Sequence, residues 1–284
     1  MDDAYKETKF LMKKYSITAN KSLGQNFLID DYTIENIVKR AEIDENDLVI
    51  EIGPGLGTLT KELLGKAGKV IAIELDKKMI DILKERFFLY KNFELINDDV
   101  LKVDLNRITS NSEYKRIKVV ANLPYYITTP IIMQLLEKRI KIDSITVMVQ
   151  KEVAERITAI PGSKKSGAIS YSVYYYCIPE VLLDVTKDKF LPIPEVDSQV
   201  IKLTLRNNPV VEPENEELFF KVIKSSFMQR RKTLVNGLTN NGVVKEKNTI
   251  IEVLIKLGID ENVRGENLTI EEFCEISNLL QKTL

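Results

Sequence analysis

Histidine is absent from this 284-residue sequence. Its absence excludes Ser-His and Cys-His nucleophilic pairs, histidine metal ligands and acid–base catalysis by an imidazole. The two cysteines, Cys177 and Cys274, are far apart in the sequence. This excludes a disulfide framework and suits a reducing compartment such as the cytoplasm. Apolar runs are only a few residues long and the start of the chain is polar, so we expect neither a membrane span nor a signal peptide.

An excess of charge of either sign is also lacking, since 41 Lys and Arg residues face 42 Asp and Glu residues. Whole-chain charge therefore gives no indication of a nucleic-acid partner. The distribution of charge does, because residues 218–244 contain no acidic residue. The basic residues of this stretch are Lys221, Lys224, Arg230, Arg231 and Lys232. They predict an RNA-binding surface, although a solvated helix face would have the same composition.

Short apolar runs alternate with segments of helical periodicity over residues 1–207. This alternation predicts an α/β fold with a doubly wound, mainly parallel, seven-stranded sheet. In this interpretation residues 171–185 form one strand and residues 198–205 form the last. A Pro- and Asn-rich stretch follows, after which the periodicity is helical. We therefore expect a second, small all-helical domain over residues 208–284.

The segment "EIGPGLGT" places three glycines between a predicted strand and a predicted helix. Glycines such as Gly53 and Gly55 let the backbone turn sharply and approach a ligand closely. Glu74 ends the next strand, where a carboxylate can accept hydrogen bonds from both hydroxyls of a ribose. Thr58 occupies the position of the third glycine in the dinucleotide fingerprint, and Glu51 precedes the loop. The spacing therefore favours S-adenosylmethionine over a dinucleotide, with a bare strand-to-helix turn as the alternative.

An acidic pair, Asp98 and Asp99, follows the third predicted strand. A carboxylate there can accept a hydrogen bond from the amino group of the cofactor's adenine. We favour Asp99 because it directly precedes an apolar pair. A solvated turn would explain either residue equally simply.

The segment "VVANLPYYITTP" ends a predicted strand with an amide, a proline and an aromatic ring. The side-chain oxygen of Asn122 is an acceptor that cannot ionise, and Pro124 removes a backbone donor. The amide and the carbonyl groups near Leu123 can therefore accept both N–H bonds of an exocyclic amine. Tyr125 offers a flat face for the base that carries the amine. Such a site activates an adenine amine by position and acceptor geometry, without histidine.

A second aromatic signal is "FLPIPEVDS", in which two prolines favour an extended loop before the last strand. Phe190 could stack on the other face of a base extruded from the RNA. Base–aromatic stacking contributes roughly 1–3 kcal/mol per base, and extrusion costs a similar amount. Ordinary packing of Phe190 in the core is the alternative.

Four segments in this order, "KSLGQNFL", "EIGPGLGTLT", "NLPYYI" and "FLPIPEVDS", resemble the KsgA (RsmA) family of small-subunit ribosomal RNA adenine dimethyltransferases. The resemblance runs from about residue 21 to residue 280. It implies the Rossmann-like fold of class I methyltransferases and S-adenosylmethionine as cofactor. It also implies dimethylation of two adjacent adenines in a hairpin loop near the 3′ end of 16S ribosomal RNA, late in small-subunit assembly. We expect a monomer without a metal.

The resemblance also implies roles for individual residues. Asn26 and Leu28 would line the methionine end of the cofactor, with Gly53 beneath it. Glu74 would hold the ribose and Asp99 the adenine. Asn122 would contact both methyl donor and target amine, and Tyr125 and Phe190 would enclose the target base.

Three other hypotheses compete with this one. A macrolide-resistance methyltransferase acting on large-subunit ribosomal RNA shares the glycine loop and a similar Asn-x-Pro-Tyr motif. "KSLGQNF" and the tail beginning "RGENL" favour the small-subunit enzyme. A non-catalytic assembly factor is opposed by the intact "NLPY" motif and Glu74. A nicotinamide-dependent dehydrogenase fails on the glycine spacing.

Overall fold

The computed structural model describes residues 3–20, 23–110, 112–229 and 231–283. In this part of the chain the α-helices are α1 (Asp3–Lys14), α2 (Asp31–Arg40), α3 (Thr58–Leu64), α4 (Lys77–Phe87), α5 (Leu105–Ser110), α6 (Thr128–Glu137), α7 (Lys151–Ile157), α8 (Ala168–Tyr176), α9 (Glu216–Phe227), α10 (Leu234–Asn240), α11 (Lys247–Lys256) and α12 (Ile270–Gln281). The strands are β1 (Phe27–Leu28), β2 (Asp47–Ile52), β3 (Lys69–Glu74), β4 (Phe93–Asn97), β5 (Arg116–Asn122), β6 (Ser144–Gln150), β7 (Cys177–Val185), β8 (Phe190–Leu191) and β9 (Ser198–Leu205).

Seven strands form one sheet in the order β4-β3-β2-β5-β6-β9-β7. The pairs β4/β3, β3/β2, β2/β5 and β5/β6 are parallel, and β9 runs antiparallel to β6. Every residue of β2 is buried, as its mainly apolar sequence predicts for a central strand covered on both faces. The expected doubly wound, mainly parallel seven-stranded sheet is confirmed.

The order of the strands reverses at β2, because β3 follows it on one side and β5 lies on the other. In open α/β sheets, ligands bind beyond the carboxyl ends of the strands at such a reversal. The loop after β2, the end of β3 and the end of β5 therefore meet at one edge of the sheet. These three places carry the glycine loop, Glu74 and the "NLPY" segment.

The chain forms two compact units. The first comprises Met1–Ala154 and Glu180–Leu205, and the second comprises Glu155–Pro179 and Arg206–Leu284. The chain enters the second unit for the second time after Leu205, close to the expected boundary at residue 207. The segment 155–179 differs from the expectation, because it belongs to the second unit rather than to the first.

The strand expected over residues 171–185 is also different in the structure. Residues up to Tyr176 complete helix α8, and only the part from Cys177 onward is strand β7. Tyr171 and Tyr175, one helical turn apart, are buried in the core of the second unit, where Tyr171 packs edge-on against Phe273. Helical spacing that buries both rings outweighs the preference of tyrosine for strands.

Candidate active site

A cleft in the first unit opens at the carboxyl edge of the sheet. It encloses about 1040 Å³ of empty space, part of it open to solvent. Its walls are formed by residues 23–28, 51–56, 58–59, 73–75, 98–100 and 122–127. The cleft therefore brings together nearly all the residues that the sequence predicts for cofactor binding and for catalysis.

The glycine loop turns through backbone conformations that favour glycine. Gly53 and Gly55 have φ angles of +68° and +57°, which side chains disfavour. A Cβ atom at Gly55 would lie 3.3 Å from the ring of Phe27. The glycines thus permit both the turn and the close approach of the segment that contains Asn26.

Glu74 closes this loop from the end of β3. Its Oε2 accepts a hydrogen bond from the backbone N–H of Gly55 at 3.1 Å, and its Oε1 accepts one from Asp76 at 2.8 Å. The side chain is only 7% exposed, and this burial raises the pKa of the carboxyl group. Each carboxylate oxygen keeps a further lone pair for a donor in the cleft.

The loop is also held by Arg86 of α4, which does not line the cleft. The guanidinium donates one hydrogen bond to the carbonyl of Leu56 and another, at 2.7 Å, to the carboxylate of Glu7 on α1. The Arg86 side chain is only 9% exposed. The N-terminal helix is therefore tied to the glycine loop through one buried side chain, which the sequence alone did not indicate.

Asp98 and Asp99 both line the cleft after β4. Asp98 is exposed and accepts a hydrogen bond from the backbone of Asp99 at 2.7 Å. Asp99 is half-buried and accepts one from the backbone of Leu101 at 3.0 Å. Either carboxylate keeps an oxygen for a ligand, so the preference for Asp99 stays a prediction.

The end of β5 presents acceptors to the cleft. The Asn122 side chain donates from Nδ2 to the backbone oxygen of Asn26 at 3.1 Å, which fixes the amide. The carbonyl of Pro124 already accepts from Ile127 and from the hydroxyl of Thr128. The carbonyl of Leu123 accepts no hydrogen bond from any described residue. Asn122 Oδ1 and Leu123 O are thus the acceptors that remain for an amine.

Tyr125 is half-buried beside them. Its hydroxyl lies 2.8 Å from the hydroxyl of Ser198, the first residue of β9, and burial raises the pKa of the phenol. Ser198 ends the "FLPIPEVDS" motif, which is the only signal in the sequence that could have identified it. The ring of Tyr125 is therefore held by a hydrogen bond to the start of β9.

Phe190 is placed differently from the expectation. It lies in β8, opposite Leu28 of β1, and packs in the hydrophobic core with 1% of its surface exposed. It does not line the cleft, because the short β1–β8 pairing turns its ring toward the core. The structure thus matches the alternative of ordinary core packing. A stacking role would require the ring to leave the core.

Asn26 and Leu28 line the cleft, as the resemblance implies. Asn26 Nδ2 donates to the carbonyl of Gly24 at 3.2 Å, and Thr58 donates its hydroxyl to the carbonyl of Leu28 at 3.3 Å. The beginning of their motif, Lys21 and Ser22, lies outside the described residues.

Glu51 received no role from the sequence beyond its place before the loop, yet it lines the cleft. The side chain is 1% exposed, and its Oε2 has no hydrogen-bond partner among the described residues. Burial raises the pKa of this carboxyl group to about 8, and the nearby charge of Glu74 adds to the effect. Burial therefore favours the protonated form of Glu51.

The predicted RNA-binding residues belong to the second unit. Lys221 and Lys224 are exposed on α9, and Arg231 and Lys232 are exposed in the turn after it. Arg230 lies outside the described residues.

Within residues 3–20, 23–110, 112–229 and 231–283, no group of three or more acidic or cysteine side chains could hold a metal ion. No helix in these segments has both the length and the apolar character needed to cross a membrane.

Comparison with known proteins finds relatives of this chain. The family model described as ribosomal RNA adenine dimethylase matches residues 16–282. A protein of Alkaliphilus metalliredigens named ribosomal RNA small subunit methyltransferase A is 50% identical over 272 residues, or 95% of each chain. A protein of the same name from Alkaliphilus oremlandii is 48% identical over 280 residues, or 98% of each chain. The crystal structure of a dimethyladenosine transferase from Plasmodium falciparum superposes with a TM-score of 0.73 at 28% identity, covering 87% of this chain and 94% of that one.

The sheet and the superposed dimethyladenosine transferase define a class I methyltransferase, and the matching family uses S-adenosylmethionine. With its family model matched over nearly the whole length, the chain belongs to the ribosomal RNA adenine dimethylase family.

Proposed function

We propose that this enzyme dimethylates the exocyclic amines of two adjacent adenines in a hairpin loop near the 3′ end of 16S ribosomal RNA. The observation that carries the proposal is the pair of acceptors at the end of β5. The Asn122 amide is fixed through its nitrogen, and the neighbouring carbonyl of Leu123 has no donor among the described residues. An amine with two N–H bonds satisfies both acceptors.

The residues of the cleft fit S-adenosylmethionine. The buried Glu74 carboxylate keeps acceptor capacity for ribose hydroxyls, and the buried Oε2 of Glu51 has no hydrogen-bond partner among the described residues. Gly53 leaves room where a Cβ atom would project toward the ring of Pro124, 3.9 Å away. We assign the ribose to Glu74 and the adenine to Asp99. The methionine end belongs with Asn26, Leu28 and Gly53.

When bound, S-adenosylmethionine supplies an electrophilic methyl group on a sulfonium. An adenine amine is a weak nucleophile because its lone pair is delocalised into the ring. Asn122 Oδ1 and Leu123 O can each accept a hydrogen bond from one N–H group of the amine. These two hydrogen bonds favour a geometry in which the lone pair is localised on nitrogen and points into the cleft. Transfer would form the nitrogen–methyl bond as the methyl–sulfur bond breaks, leaving S-adenosylhomocysteine, and the methylated amine would then release a proton to solvent, so no side chain has to act as a base. Tyr125 supplies a ring face for the base.

We assign RNA binding to the exposed basic residues of the second unit, Lys221, Lys224, Arg231 and Lys232, together with Arg230. Phosphate contacts by lysine and arginine release counterions, so binding weakens as salt increases. Alanine at Arg231 and Lys232 should weaken binding to the small subunit and flatten its dependence on salt concentration, while cofactor affinity is unchanged. An unchanged slope of binding against salt concentration would favour the solvated helix face instead.

We further propose that the enzyme acts as a monomer in the cytoplasm on a late assembly intermediate of the small subunit. The test is methyl transfer to small subunits from a strain that lacks this modification, with the products identified by nucleoside mass spectrometry. Dimethyladenine at two adjacent positions near the 3′ end is expected. Modification of large-subunit RNA, with macrolide resistance of the host, would support the rival enzyme. Binding without methyl transfer would support the assembly factor.

A further inference from the structure

A base extruded into the cleft leaves its neighbour with an uncovered face. If two adjacent adenines are methylated in turn, as proposed above, the neighbour of each target is itself an adenine. Unstacking costs a few kcal/mol per base, and an aromatic ring at the mouth of the cleft can offset that cost. The question is which ring of this chain is available.

The aromatic side chains that line the cleft are Phe27, Tyr125 and Tyr126. Phe27 is 6% exposed and packs against the glycine loop. Tyr125 is half-buried and anchored to Ser198. Tyr126 is 54% exposed. It is therefore the aromatic residue of the cleft that presents the most surface to solvent.

The ring of Tyr126 also lies close to Gly24. A Cβ atom at Gly24 would lie 3.3 Å from Cδ1 and 3.6 Å from Cε1 of the tyrosine ring, so the ring rests close to the backbone of the segment that leads to Asn26. One edge of the ring is thus held close to this segment, while 54% of the residue stays exposed.

We infer that Tyr126 binds the nucleobase next to the adenine being methylated, by stacking on the face that extrusion uncovers. The inference rests on the proposed function and extends it to a second base. Phe190 cannot take this place while its ring is 1% exposed in the core. Tyr125 serves the target base because it follows the two acceptors, Asn122 and Leu123, after only Pro124.

The test uses two forms of small subunit, reconstituted with 16S RNA that keeps both adenines or with 16S RNA in which one of them is replaced by uridine. Methyl transfer is measured at the other adenine alone, whose neighbour is therefore adenine or uridine. Because stacking on uridine is weaker, the wild-type enzyme should show a kcat/KM about 5- to 100-fold higher with an adenine neighbour. Tyr126→Ala and Tyr126→Leu should lower kcat/KM for the adenine-neighbour RNA to the uridine value and lose the preference. Tyr126→Phe should keep it.

Two controls separate this inference from a structural effect. S-adenosylmethionine affinity should be the same in all variants, since only the outer ring is changed. Tyr32→Ala removes a tyrosine of similar exposure, 65%, that does not line the cleft, and it should behave as wild type. If Tyr126→Leu retains the wild-type preference for an adenine neighbour, the stacking role is overturned while the proposed function stands. If the wild-type enzyme forms no dimethyladenine, the proposed function itself fails.

Discussion

Arg86 provides a test of whether the N-terminal helix contributes to cofactor binding. Its guanidinium links the carbonyl of Leu56, inside the glycine loop, to Glu7 of α1. The variant Arg86→Met keeps most of the side-chain volume and removes both donors. We expect it to weaken binding of S-adenosylmethionine without changing any residue of the cleft.

The magnitude follows from burial. Leu56 is 1% exposed, so its carbonyl loses a donor that solvent cannot replace, at a cost of about 1–3 kcal/mol. The Glu7 side chain is 33% exposed and can be hydrated instead, so loss of its ion pair with Arg86 adds less than about 1 kcal/mol. If the glycine loop relaxes so that the Leu56 carbonyl finds another partner, binding of the cofactor must restore the original loop conformation. Part of the binding free energy is then lost. Affinity should then fall by roughly 5- to 100-fold.

Titration calorimetry with S-adenosylmethionine measures this directly, beside a thermal melt of the free protein. Lys61→Met is the matched control, because Lys61 pairs with the same Glu7 at 3.8 Å and is 51% exposed. It should bind the cofactor as wild type does. If Arg86→Met melts at a lower temperature but binds with unchanged affinity, the tie stabilises the fold alone and the reasoning is wrong.

Three further predictions concern the cleft. Glu74→Ala should weaken binding of S-adenosylmethionine about ten- to a hundred-fold by calorimetry, since charge-assisted hydrogen bonds contribute about 1.5–3 kcal/mol; unchanged affinity would refute the ribose assignment. Asn122→Ala should nearly abolish the first methyl transfer, whereas Tyr125→Ala should lower the ratio of dimethyl- to monomethyladenine in nucleoside mass spectra, because a monomethylated amine keeps one N–H and depends more on stacking. Burial raises the pKa of Glu51 from 4.5 to about 8, so the folded state holds a proton that the unfolded state releases, and stability should fall by up to about 1.4 kcal/mol per pH unit between these values. Glu51→Gln should remove that slope in denaturant unfolding across pH, and equal slopes in both proteins would contradict the assignment.

The parts of the fold that could be predicted from the sequence are those fixed by local patterns. β2 is a mainly apolar run followed by the glycine loop, and Glu74 closes a second such run, so strand, loop and acidic residue could all be located. Helix α1 was not predicted, because only Ala4, Thr8 and Leu11 of its residues are buried, which leaves a weak apolar pattern. Its role depends on the distant Arg86.

The same distinction holds for the site. The Asn122 segment could be identified because its chemistry lies in four consecutive residues. The place of Phe190 could not, because its ring is turned toward the core by pairing with a strand near the start of the chain. The hydroxyl contact between Tyr125 and Ser198 likewise joins two segments far apart in sequence. Periodicity and motif spacing do not carry such long-range information.

The pairing of β1 with β8 has a consequence for folding of the enzyme during translation. Phe27 lies opposite Leu191, and Ile29 donates its backbone N–H to the carbonyl of Lys189 at 2.9 Å, so the segment that forms one wall of the cleft is held by residues from much later in the chain. Chains emerge from the ribosome N-terminus first, and contacts distant in sequence form last. The parallel strands β2 to β6, all within residues 47–150, can assemble while the wall is still open. We therefore expect the segment around Asn26 to be fixed late in translation, after the glycine loop and the acceptors of the "NLPY" segment.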